Sequence, residues 1–164
     1  MKTKKLTLIA LLFSIALVLS FIEGQFIIFP ACPGIKLGLS NIAVMFALLS
    51  IDKKSAYAIS LLKALFALAT RGVMAGILSL SGGVISISII ILILFLREDA
   101  SLSFLSISGA LFHNLAQFTV IHLVYKGASF LPYLPLLIFS GIAFGIMNAV
   151  LLKAVFPYLK KIEK

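Results

Sequence analysis

The chain has 164 residues, a mean hydropathy of +1.23, 62% hydrophobic side chains and 12% charged ones, too few polar groups to cover a soluble domain. Its net charge of +9 would raise nucleic-acid binding in a soluble protein, but here the basic residues lie mainly between apolar runs, where they set membrane topology instead. The composition therefore describes an all-α integral membrane protein with no nucleic-acid partner, and the single Cys32 excludes an internal disulfide and a cysteine-built zinc or iron–sulfur site.

The opening "MKTKKLTLIALLFSIALVLS" has the basic head and apolar body of a secretory signal, but no small-x-small cleavage site follows before Glu23. It reads as a retained first helix over about 6–22. The next stretch, 23–36 ("EGQFIIFPACPGIK"), reads as an external loop, because Pro30 and Pro33 fix backbone angles and Gly34 allows a turn. Its apolar residues suit a loop folded over the end of a bundle, and Pro30-Ala31 before Cys32 make a poor acylation signal. The second and third helices, about 37–51 and 54–71, are short and form a tight hairpin around "SIDKKS". Three further helices are expected over about 76–96, 102–125 and 131–156, long enough for a hydrocarbon core that needs roughly 20 helical residues. Residues 1–164 thus form a single domain of six transmembrane helices. With both termini cytoplasmic, ten basic residues fall inside and three, Lys36, Arg71 and Lys126, outside, with Lys63 within the membrane.

Several polar residues sit inside these apolar runs. On the fifth helix, Ser106, Gly109, Ala110, His113, Asn114 and Gln117 share one side at about 100° per residue, while His122 points away. Lipid cannot satisfy such groups, so the stripe faces protein or a water-filled cavity. Two readings stay open: hydrogen bonds that lock neighbouring helices, or a ligand site. The third helix carries Ser60, Lys63, Ala67, Thr70 and Arg71 on one face. Lys63 either snorkels or pairs with Glu23, or it converges with Arg71 and Lys36 on a cavity that prefers a carboxylate or phosphate. On the fourth helix, Gly82 and Gly83 permit close approach, and Ser79, Ser81 and Ser86 offer hydroxyls. On the sixth, Gly141 and Gly145 form a contact face continued by Asn148. Small residues on the first helix, Ala10-x3-Ser14 and Ala16-x3-Ser20, make grooves where another membrane helix could dock.

The sequence has no P-loop, no dinucleotide fingerprint, no Ser/His/Asp set at plausible depth and no metal-binding cluster. Prenyl-elongating synthases hold magnesium through aspartate-rich motifs, whereas Asp52 and Asp99 lie in separate loops. The chain is not expected to be an enzyme by itself and needs no cofactor of its own.

The runs "PGIKLGLSNI" (33–42), "SLSGGVISI" (79–87) and "GALFHNLAQ" (109–117), in that order and spacing, resemble the heptaprenyl diphosphate synthase component I family, also called the Gx transporter family. The likeness spans nearly the whole chain. It implies a bundle like the substrate-binding S components of energy-coupling-factor (ECF) transporters, multi-pass proteins of the bacterial cell membrane that capture a vitamin or precursor. The implied partners are a transmembrane coupling protein and two ATPase subunits that consume ATP, docking by analogy on Ala10, Ser14 and Ala16. The implied ligand is a small anionic or amphipathic metabolite, such as a vitamin or a quinone or isoprenoid precursor. His113, Asn114 and Gln117 would line its cavity together with Lys63, Arg71, Lys36, Asn41, Ser81, Gly82 and Gly83. The alternative is an accessory membrane subunit of a polyprenyl diphosphate synthase or of quinone metabolism. An arginine is usual in the family near Lys63, so here a bidentate grip on an anion gives way to a point charge.

Overall fold

In the computed structural model, residues 2–25, 37–125 and 131–163 are described. They form six α-helices in chain order: α1 (Lys2–Gln25), α2 (Ser40–Ser50), α3 (Lys53–Arg71), α4 (Val73–Leu96), α5 (Leu102–Val124) and α6 (Leu134–Glu163), the last entered through a short 3-10 turn, Leu131–Tyr133. There is no strand among the described residues. Four helices, α1, α4, α5 and α6, are long and apolar enough to cross a membrane. At 1.5 Å per residue, α2 reaches only about 16 Å, roughly half of a 30 Å hydrocarbon core. α3 has the length, but Lys53, Lys54, Lys63 and Arg71 dilute its hydropathy.

Local chemistry explains the boundaries. The Asp52 carboxylate accepts from Ser55 N at 2.6 Å and starts α3, and the Ser101 hydroxyl accepts from Phe104 N at 3.2 Å and starts α5. Gly72, at φ +90°, ends α3 and begins α4 with no other residue between them, a turn that side chains with a Cβ rarely adopt. Gly38, at φ +74°, holds residues 37–39 out of the helix expected from residue 37. Glu23, Gly24 and Gln25, expected in a loop, continue α1, and the rest of that expected loop, residues 26–36, lies outside the described residues. α6 runs past the expected stop at 156 and through Pro157, whose ring removes one amide donor without ending the helix.

The helices pack mainly with their neighbours in sequence, α3 on α4, α4 on α5 and α5 on α6, while α1 and α2 close over α3. Lys5 hydrogen-bonds Asp52, and Lys153 Nζ donates to Ser103 Oγ at 3.0 Å. These contacts gather the start of α1, the α2–α3 turn, the start of α5 and the late part of α6 at one end. The apolar core lies toward that end: Leu8, Leu12 and Ala16 of α1 meet Val44 to Leu48 of α2, Ile59 of α3, Leu105 of α5 and Leu152 of α6. Phe46, fully buried, packs edge-on against Phe156 at 5.2 Å between ring centres. Outward faces are apolar too, with Phe95, Phe139 and Val150 largely exposed, the pattern of helices solvated by lipid.

Ala16 is a correction to the expected docking groove. Ala10 and Ser14 lie 40° apart around α1 and are exposed, whereas Ala16 lies about 120° from Ala10 and is fully buried. It packs in the core and is not part of the exposed surface that Ala10 and Ser14 share.

Candidate functional site

A cavity lies between the half-length α2 and helices α1, α3, α4, α5 and α6. All six residues of the expected α5 stripe line it. So do Lys63, Arg71, Asn41 and Gly83 from the other expected positions. Lys36 lies outside the described residues. Ser81 and Gly82 stand behind the wall: Ser81 Oγ donates to Leu78 O at 3.2 Å, and Gly82 is buried under His113. Thr70 of the α3 face is exposed and donates to Phe66 O at 2.7 Å, so it takes no part.

The two glycines of α4 serve opposite sides. A Cβ on Gly82 would stand 2.6 Å from the His113 ring, and one on Gly83 would stand 2.1 Å from Ser60 Oγ, so the pair lets α5 and α3 press against α4. Gln117 then ties α5 to α4. Its amide nitrogen donates to Leu78 O at 3.2 Å and lies 3.2 Å from His113 Nε2. An amide nitrogen cannot accept, so Nε2 does, which places the ring proton on Nδ1.

The two readings of the stripe thus divide by residue. Ser106 and Asn114 lock α5 to α6: Ser106 Oγ donates to Gly145 O at 2.8 Å, and Asn114 Nδ2 donates to Leu137 O at 3.1 Å. Gly145 makes the close crossing possible, since a Cβ there would meet Ile107 Cα at 2.7 Å. His113 and Gln117 are held by α4, with the ring only half-buried beside the cavity. His122 is exposed and stacks on Phe118 outside the site.

Lys63 neither snorkels to the surface nor meets Glu23 directly. Buried at 3% exposure, its ammonium donates to Asn41 Oδ1 and to Ser40 Oγ at 3.4 Å. Ser40 Oγ in turn donates to Glu23 Oε2 at 2.9 Å, and the other Glu23 oxygen accepts from Leu39 N. The Glu23 carboxylate therefore sits at the N-terminus of α2, where the helix dipole favours negative charge. Arg71 closes the group by donating from Nη2 to Ser20 Oγ at 3.0 Å, its side chain lying against Gly24. Among the described residues, two cationic side chains and one carboxyl side chain line this part of the wall. Elsewhere the wall is largely apolar, with Val44, Leu48, Ile87, Ile90, Phe144 and Leu152.

Sequence reasoning missed Glu23 and Ser40 as site groups, and it took Asn148 for packing. Asn148 Nδ2 donates to Leu37 O at 3.1 Å and fixes the backbone that enters α2. Its place one turn beyond Gly145 was the available signal. Among the described residues no group of three or more His, Cys, Asp or Glu could hold a metal.

The arrangement defines a class: a helical protein with the helices of a multi-pass membrane protein, enclosing a cavity that is cationic and polar in one part and apolar in the rest. The family model for heptaprenyl diphosphate synthase component I matches residues 12–155, and the chain belongs to that family. No curated protein and no solved structure matched it.

Proposed function

We propose that the chain is a substrate-binding subunit, like the S component of an ECF transporter, in the bacterial cell membrane, with a bundle of six helices and both termini cytoplasmic. Its ligand is a small anionic or amphipathic metabolite held by Lys63, Arg71, Asn41, His113 and Gln117. One observation carries this reading: residues from all six helices line one cavity, cationic and polar in one part, inside an otherwise apolar bundle. Packing alone would not need it, since small residues join membrane helices without buried charge. The end that gathers Lys5, Lys53, Lys54, Arg97 and Lys153 is the cytoplasmic one by the distribution of positive charge. The exposed Ala10 and Ser14 on α1 offer the docking face for the coupling protein, whose two ATPase partners supply ATP hydrolysis.

The family description favours a second reading, an accessory subunit of a polyprenyl diphosphate synthase. Co-expression with an ECF coupling protein and its two ATPases separates the two. A stable complex that accumulates ligand in proteoliposomes on ATP addition is expected. Prenyl transfer that requires this chain, with no such complex, would establish the synthase reading instead.

A further inference from the structure

Three cavity-lining side chains from three helices each carry a buried polar atom with no hydrogen-bond partner: Gln117 Oε1 on α5, Asn148 Oδ1 on α6 and Arg71 Nη1 on α3. Gln117 and Asn148 are 2% and 7% exposed, so both side chains are buried in the bundle. Neither amide can be turned round to relieve the deficit. The Gln117 nitrogen faces Leu78 O and the Asn148 nitrogen faces Leu37 O, and an amide oxygen in either place would set two acceptors against each other. Both oxygens are therefore fixed as acceptors, and an unsatisfied buried acceptor is costly to keep.

From this we infer that the ligand carries, besides an acidic group for Arg71 and Lys63, at least two O–H or N–H donors, which Gln117 and Asn148 receive. The inference rests on the binding reading above and narrows its ligand class. A hydroxy acid, an amino acid derivative or an acidic heterocycle with ring N–H groups meets the requirement. A quinone or a prenyl diphosphate offers only acceptors at neutral pH and leaves both amide oxygens unanswered. Sites built around a substrate's donors reject analogues that lack them far more strongly than apolar pockets reject a missing methylene.

The test uses the full chain purified in one mild detergent, with equilibrium dialysis against defined probes. The probes are ω-hydroxy carboxylic acids of about four to ten carbons, their ω-methyl ethers, farnesyl diphosphate and menadione. The length series covers the unknown spacing between acid and donor. A hydroxy acid that binds at least about tenfold more tightly than its methyl ether is expected, a difference of about 1.4 kcal/mol. That preference should shrink in Gln117→Met and in Asn148→Leu, two variants on separate helices, so that misfolding of one leaves the other to read. Equal binding of ether and hydroxy acid, or tighter binding of farnesyl diphosphate or menadione, overturns the donor requirement and leaves a binding subunit standing. No binding of any probe overturns both.

Discussion

Gly145→Ala tests how the bundle is held around its cavity. In an unconstrained helix the change would stabilise by about 1 kcal/mol, because alanine is the better helix former. Here the new Cβ would stand 2.7 Å from Ile107 Cα and 3.3 Å from Ile107 N, against an ordinary carbon contact of about 3.5–4 Å. The obstacle is backbone, so α5 as a whole must retreat by about 1 Å, and overpacking of this kind costs about 1–3 kcal/mol. The retreat also stretches the Ser106 bond to Gly145 O, 2.8 Å at present, worth about 0.6 kcal/mol between membrane helices. The net expectation is a loss of about 1–2 kcal/mol, read by reversible unfolding in one defined detergent. Gly83→Ala is the comparison, because its obstacle is only Ser60 Oγ, with Ser60 Cβ at 3.4 Å. Ser60→Ala should therefore relieve Gly83→Ala, and it should cost little alone, since that hydroxyl has no partner. A Gly145→Ala protein as stable as wild type would refute the close-crossing argument.

Further expectations concern other parts of the molecule. Ala16→Trp should prevent folding, while Ser14→Trp should fold, bind ligand and fail to assemble with the coupling protein; detergent-resistant monomer yield and co-purification read the two effects. His113→Ala should abolish or strongly weaken ligand binding in dialysis, with insertion unchanged, and undiminished affinity would remove the imidazole from the contact set. The Lys5 ammonium holds the Asp52 carboxyl down to about 2 from its usual 3.8, with the Ser55 amide assisting. The folded pKa is depressed, so this contribution is present above about pH 4 and fades as the pH falls toward 2. Lys5→Met should therefore lower stability at pH 6 and narrow the difference between pH 6 and pH 3 in thermal unfolding.

What could be read from the sequence follows the physics of each element. The long apolar helices announce themselves by run length, and the α5 stripe by 100° spacing, which is why all six of its residues line the cavity. Gly82 and Gly83 were legible as a place of close approach, though only the fold divides them between His113 and Ser60. The start of α2 was not legible, because it depends on Gly38 turning the chain and on Glu23, sixteen positions from Leu39, meeting the helix end. Ala16 and Thr70 misled for related reasons. Small-residue spacing in α1 repeats on two faces, one of which is core, and a threonine at the edge of a polar stripe satisfies itself on its own helix. Lys63 called for a partner of opposite charge by sequence logic, and the fold supplies Asn41 and Ser40 with Glu23 one bond further on.

The central claim, that the cavity holds a small molecule through its cationic group, is tested most directly by native mass spectrometry of the protein released from mild detergent. Wild type should retain a discrete small mass, and Lys63→Met, matched for yield and helicity, should lose it. A wild-type protein that carries no adduct and gains none from a small-molecule extract of its own cells, or a Lys63→Met protein that retains the same mass in equal amount, would contradict the account.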